Sequence, residues 1–184
     1  LIELLNTLIR VAGNEKYVAK VALAGMNEVI HCNDKFDSDP HILSKVMTLI
    51  GQFALHDRVL NDIIQFGGVA FIIDAVSQHP EDENLVIQAI HSLDNIGTGS
   101  AEHAHIVTEQ GGIEVLQHCA DAYRGQGGNA EIVTSAESAI ITIESQRELG
   151  GKSALNSMNA KNMISHLESH TDIDQFQQYV DDLV

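Results

Sequence analysis

The sequence predicts an all-helical fold in which similar helical units are stacked one after another. Apolar residues recur at helical spacing through most of the chain, and alternation with period two is scarce. The chain has only two prolines, Pro40 and Pro80, and each lies where a helical pattern begins. The sequence also repeats itself, because Phe66-Gly67-Gly68-Val69 returns at positions 110–113 as Gln-Gly-Gly-Ile. A period of this length built from helices is typical of an α-solenoid.

Composition is consistent with closely packed helices. The chain has 184 residues, of which 44% are hydrophobic and 4% are aromatic, and it contains no Trp. Aliphatic and small side chains must therefore fill the core. The length suffices for one compact domain or for a few stacked helical repeats.

The charge is strongly acidic, with a formal net charge of −16. Between Arg58 and Arg124 the sequence has no Lys or Arg but ten Asp and Glu residues. Proteins that bind nucleic acid usually carry a basic face, so we do not expect a nucleic-acid partner. An acidic surface attracts basic partners, and the alternative is that the charge only keeps the chain soluble.

The cysteines and the ends of the chain bear on its location. Cys32 and Cys119 lie in apolar helical patterns without the spacing of metal ligands, so we expect buried free thiols and a reducing, intracellular compartment, cytoplasmic or cytoskeletal. No run approaches the ~20 apolar residues of a membrane helix, and no membrane contact is expected. The sequence starts and stops in mid-pattern, which favours a piece of a larger chain or complex.

The pattern divides the chain into five segments, which we expect to form one continuous domain. Residues 1–13 predict the last helix of a truncated repeat. Residues 14–55 predict a repeat with short helices over 14–23 and 26–32, separated at Ala24-Gly25, and a long helix over 41–54. Asp39 and Pro40 provide a helix cap and a first-turn proline for that long helix.

The repeat then recurs over residues 56–99 and 100–150. Each copy has a short helix, a Gly-Gly turn, a middle helix and a long helix, with long helices over 82–96 and 130–145. Residues 151–184 predict a degenerate repeat or a C-terminal cap, with a short helix over 162–167. A capping box at Thr171 and Asp174 precedes its last apolar stretch.

This unit resembles the armadillo repeat, whose third helix ends in a pattern close to A-L-W-A-L-S-N-L-A-S-G. Residues 89–99, AIHSLDNIGTG, align with that pattern without gaps. The aliphatic positions, the Asn and the final Gly agree, and His91 takes the position of the family's Trp. The resemblance covers residues 1–146 and implies a right-handed superhelix of three-helix repeats.

The resemblance also implies a binding groove lined by the third helices. In armadillo proteins, Asn side chains on these helices clamp an extended peptide, since an amide can both donate and accept a hydrogen bond. A neighbouring Trp offers a flat wall to the stem of a Lys or Arg. Placed on the same pattern, this chain has one clamp Asn and no Trp, so recognition of basic nuclear-import signals is not expected. The predicted groove residues are Asn6, Arg10, Thr48, Gln52, His91, Asn95 and Ser145.

No catalytic, cofactor or metal site is predicted. The chain has ten histidines, but His103 and His105 are two apart on a helix and do not point together. His166 and His170 can share a helix face, yet no Cys or carboxylate completes a ligand set. The glycines at 125–128 lack the Lys and Ser/Thr of a phosphate-binding loop.

Three functions follow from these patterns. The first is a non-enzymatic scaffold that binds a partner protein or peptide on the concave face of the array. The second is a structural spacer in a large cytoskeletal or axonemal assembly. The third is an accessory domain of an enzyme, or an enzyme whose site the sequence does not reveal. The fold prediction is also specific about burial, and the residues expected in the core are Ile90, Leu93, Ile96, Ile113, Leu116, Ile140 and Ile143.

Overall fold

The protein's structure, a computed structural model, describes residues 2–30, 39–125 and 127–169. These residues form α-helices and no strand, which confirms the all-α prediction. The helices are α1 Ile2–Ala12, α2 Glu15–Ile30, α3 Pro40–Ala54, α4 Asp57–Gln65, α5 Gly68–Gln78, α6 Glu83–Thr98, α7 Ala101–Glu109, α8 Gly112–Ala122 and α9 Ala130–Ser169.

The chain divides into two compact units, Leu1–Arg147 and Glu148–Val184. The first contains α1 to α8 and residues 130–147 of α9. In the second, residues 148–169 are helical, and the predicted capping box at Thr171 and Asp174 lies outside the described residues. The division falls three positions before the boundary at 150/151 that the sequence suggested.

Side-chain caps start three of the helices, and the sequence predicted the first of them, at Asp39. The carboxylate of Asp39 accepts a hydrogen bond from the backbone N–H of His41 at 2.9 Å, and that of Asp82 accepts from Leu85 at 2.9 Å. Ser100 caps α7 in the same way. Each cap satisfies a backbone donor that has no partner inside its own helix, which fixes where the helix begins.

The two Gly-Gly turns have the same geometry. Gly67 and Gly111 have φ values of 82° and 89°, a left-handed conformation that side chains disfavour. The second glycine of each pair is needed for space instead. A Cβ on Gly68 would lie 2.6 Å from Ile63 Cγ2, and one on Gly112 would lie 2.5 Å from Val107 Cγ1. The turn that the sequence repeats is therefore also repeated in the backbone.

The core of the first unit runs between neighbouring helices. α3 packs against both α1 and α6, α2 packs against α4, and α5 packs against α8. Five of the seven predicted core residues are buried, and the other two, Ile113 and Ile140, are half-buried against the same core. The helical spacing of apolar residues therefore predicted the buried faces correctly.

Hydrogen bonds between distant side chains follow a regular interval. Among the described residues, every side-chain hydrogen bond between positions more than 13 apart joins positions 40 to 48 apart. The donors and acceptors are Thr48–Gln88, Ser92–Met47, Asn95–Gly51, His103–Asn61, Tyr123–Pro80, Asn129–Glu83 and Thr142–Asp94. Each unit of this length is thus tied to the next one along the chain.

The two short helices predicted over 14–23 and 26–32 are wrong, since α2 is one helix through Gly25. Val18, Ala22, Met26 and Ile30 recur every fourth residue and are all buried. A glycine inside a helix costs about 1 kcal/mol relative to alanine. Burying a continuous apolar stripe outweighs that cost, so the helix does not end where the glycine stands.

The long helix predicted over 130–145 is also longer than expected, because α9 continues to Ser169 through Gly150 and Gly151. Good helix formers flank the two glycines. Lys152 Nζ lies 3.7 Å from Glu148 Oε2, an i,i+4 ion pair in its favourable orientation that spans the glycines. The separate short helix expected over 162–167 is part of the same helix.

Candidate functional site

The predicted site residues lie on four helices. α1 carries Asn6 and Arg10, α3 carries Thr48 and Gln52, α6 carries His91 and Asn95, and α9 carries Ser145. Packing places α3 beside both α1 and α6. A hydrogen bond from Thr142 to Asp94 Oδ1, 2.6 Å long, ties α9 to α6. We call α1, α3, α6 and residues 130–147 of α9 the site helices.

A cleft between α1 and α3 brings three of the predicted residues together. It has a volume of about 410 Å³, and we call it the α1/α3 cleft. Its lining residues are Glu3, Asn6, Ile9, Arg10, Lys45 and Thr48. Asn6, Arg10 and Thr48 were predicted, whereas Glu3, Ile9 and Lys45 were missed. Because residues three apart share a helix face, Glu3 follows from Asn6 and Lys45 follows from Thr48.

The cleft contains two basic side chains without acidic partners. Arg10 is exposed, and one of its terminal nitrogens donates to Thr7 Oγ1 at 3.3 Å. Lys45 is half-buried on the facing helix. Among the described residues, neither cation has a carboxylate oxygen within 4.0 Å. Glu3 lines the same cleft without forming an ion pair with either of them.

Thr48 and Gln52 lie between the cleft and α6. Thr48 Oγ1 lies 2.9 Å from the carbonyl O of Ser44 and 3.0 Å from Gln88 Oε1, and its single proton can serve one of them. Gln52 is half-buried, and its Oε1 atom has no hydrogen-bond partner among the described residues. A buried oxygen without a hydrogen bond raises the free energy of the folded state, so a ligand that donates a hydrogen bond to Gln52 Oε1 would bind favourably there.

Asn95 is engaged in packing as well as lying on the site helices. Its Nδ2 atom donates to the carbonyl O of Gly51 at 3.1 Å, and the side chain is half-buried. Within the described part of the chain, its Oδ1 atom makes no hydrogen bond. The amide therefore joins α6 to α3 through its donor, and its acceptor is unpaired in the described part of the chain.

His91 and Ser145 are exposed, and no hydrogen bond joins them to each other or to the α1/α3 cleft in the described residues. Ile141 lies on the same stretch of α9 with 63% of its surface exposed. It provides apolar surface beside the polar groups.

His103 and Cys119 have structural surroundings that explain them without a ligand. His103 Nε2 lies 3.0 Å from Asn61 Oδ1, which links α7 to α4. Cys119 is buried, and that burial raises the pKa of its thiol to about 11. In the ranges that the structure describes, no three His, Cys, Asp or Glu side chains are grouped as metal ligands. The same ranges contain no single helix long and apolar enough to cross a membrane.

Comparison with known proteins gives a structural likeness alone. No family model and no curated protein match the sequence. Among solved structures, the chain is similar to an engineered protein with a TM-score of 0.66 and 20% identity. The similarity covers 79% of this chain and 56% of that chain, so this chain spans little more than half its length. At 20% identity, this similarity is evidence about the fold alone.

Proposed function

We propose that this chain is a non-catalytic protein–protein interaction scaffold, built as an armadillo-like right-handed solenoid. It binds an extended segment of a partner protein along the site helices. The observation that carries the proposal is the α1/α3 cleft, in which Asn6 and Arg10 from one helix meet Thr48 from another. Asn6, Arg10 and Thr48 are also residues that the alignment of repeats assigns to the groove.

Two structural regularities support the repeat architecture. Side-chain hydrogen bonds between distant positions span 40 to 48 residues, so each segment contacts its neighbour in sequence. The turns at Gly67 and Gly111 share a left-handed residue followed by a close helix approach. Contacts restricted to adjacent units of constant length are what a solenoid requires.

The polar groups on the site helices suit a peptide backbone. Asn6 is half-buried and makes no hydrogen bond among the described residues, Asn95 keeps its Oδ1 acceptor, and Gln52 has an unpaired Oε1. An extended peptide presents alternating N–H and C=O groups to such a surface. Ile141 adds an exposed apolar contact for one of its side chains.

Selection from a random peptide library tests the proposal. A selected ten-residue peptide is labelled with fluorescein, and its affinity is measured by anisotropy for the wild type and three variants. Asn6→Ala and His91→Ala each remove a polar contact, and we expect affinity to fall about two- to tenfold, the equivalent of one hydrogen bond. His118→Ala is the matched control, because His118 is exposed on α8, which is not one of the site helices.

Two results would contradict the proposal. If His118→Ala weakened binding as much as His91→Ala, the peptide would not be held by the site helices. If no peptide were enriched, and affinity capture instead returned several large proteins whose binding none of the variants changed, the chain would be a structural spacer in an assembly.

A further inference from the structure

We propose that the α1/α3 cleft binds a carboxylate, namely an Asp or Glu side chain in an extended segment of the partner. This inference rests on the proposed function and specifies the chemistry of the partner at one end of the site helices. It differs from what the net charge of −16 suggests, since an acidic chain attracts basic partners in general.

The donors that a carboxylate needs are present on both walls of the cleft. Arg10 has five N–H donors, and its one hydrogen bond in the described residues is the bond to Thr7. Lys45 on α3 has three N–H donors and no hydrogen bond or ion pair in the same part of the chain. The two cations lie on neighbouring helices, so each oxygen of one carboxylate can accept a hydrogen bond from a different helix.

Partial burial makes this position stronger than an ordinary surface contact. Lys45 is half-buried, so its side chain loses less conformational freedom on binding a carboxylate than a fully exposed lysine would. Asn6 is half-buried beside it and can donate from its amide nitrogen. Glu3 is the one acidic residue in the lining, so the cleft has two basic residues against one acidic residue.

Charge changes sign along the site helices. α3 contains Lys45 and no Asp or Glu, whereas α6 contains Glu83 and Asp94 and no Lys or Arg. An acidic side chain is therefore attracted at the α1/α3 end and repelled at α6. The charge pattern thus favours a carboxylate of the partner at the α1/α3 cleft. It favours basic residues of the partner at α6.

Three peptides of different charge test the inference. Each is a fluorescein-labelled ten-residue repeat of Glu-Ser, Lys-Ser or Gln-Ser, and anisotropy measures its affinity at low salt. We expect the Glu-Ser peptide to bind despite the acidic net charge, and Lys45→Gln and Arg10→Gln each to weaken its binding about three- to tenfold. Glu3→Gln removes the competing charge and should tighten binding.

Lys20→Gln is the matched control, because Lys20 is exposed on α2 and does not line the cleft. It removes the same charge and should leave the affinity nearly unchanged. Circular dichroism and thermal melting check that every variant is folded, so that a loss of binding reports on the cleft. An equal loss in Lys20→Gln and Lys45→Gln would mean general attraction and would overturn the inference.

The remaining outcomes separate this inference from the proposed function. If the Lys-Ser or Gln-Ser peptide bound most tightly and His91→Ala weakened its binding, the site helices would bind peptide and the carboxylate assignment would be wrong. If none of the three bound but a library-selected peptide did, without dependence on Lys45, the same conclusion would hold. If no peptide bound at all, both proposals would fail.

Discussion

The Nδ2 atom of Asn95 donates a 3.1 Å hydrogen bond to the carbonyl O of Gly51, and this bond joins α6 to α3. The two helices also approach closely at this point, because Ser92 Oγ lies 2.9 Å from the carbonyl O of Met47. Asn95, one of the residues that the resemblance assigned to the groove, therefore helps to hold α6 against α3.

We expect Asn95→Ala to lower the free energy of unfolding by about 0.5–1.5 kcal/mol, since the carbonyl of Gly51 loses its donor. For a chain of this size the melting temperature should fall by about 2–4 °C per kcal/mol. Urea unfolding followed by circular dichroism measures the change. His91→Ala, an exposed position on the same helix, is the control and should change stability little. If Asn95→Ala left the stability unchanged, the hydrogen bond from Asn95 to Gly51 would not contribute to it.

Two substitutions, Gly51→Ala and Gly25→Ala, together test the close approach of α3 and α6. Gly51→Ala should destabilise the protein, because a Cβ there would lie 2.9 Å from Ser92 Oγ, which hydrogen bonds hold in place. Gly25→Ala should stabilise it by about 1 kcal/mol, the helix propensity of alanine over glycine, since nothing lies within 4 Å of the added Cβ. Opposite shifts in thermal melting are expected, and shifts of the same sign would contradict the packing.

Leu93 tests the contribution of the hydrophobic core to stability. Its side chain is fully buried, and Leu93→Ala should cost about 2–5 kcal/mol, the range for a large-to-small change in a core. Ile141→Ala removes apolar atoms from an exposed side chain and should stay within about 0.5 kcal/mol of the wild type. Chemical denaturation compares the two variants, and similar costs would show that burial does not decide stability here.

Cys119 makes stability depend on pH in the alkaline range. Burial raises the pKa of its thiol from 9.0 to about 11, so the folded state favours the neutral thiol. Between pH 9 and about 11 the unfolded chain ionises first, and stability falls as pH rises. The slope should reach at most about 1.4 kcal/mol per pH unit from this group. Cys119→Ala should flatten the slope, measured by denaturation at several pH values, and an identical slope would contradict the assignment.

Local chemistry explains what the sequence predicted about the fold. Asp39 and Asp82 cap helices by bonding backbone groups two or three residues away, and Gly67 and Gly111 supply a backbone conformation that other residues avoid. These effects act within a few residues, so they can be read from the sequence. The spacing of apolar residues likewise predicted that Leu93 would be buried.

Tertiary structure decided what depends on residues far apart in the chain. α2 passes through Gly25 because its buried stripe contacts other helices, and no local signal reports that gain. Lys45 and Arg10 line one cleft only after α3 packs on α1, and Asn95 finds Gly51 44 positions away. The sequence by itself determined the helical class of the fold, the Asp39 cap and the two Gly-Gly turns, since these need only neighbours. Which polar groups meet and which remain free for a ligand was decided by packing, because each partner lies on another helix.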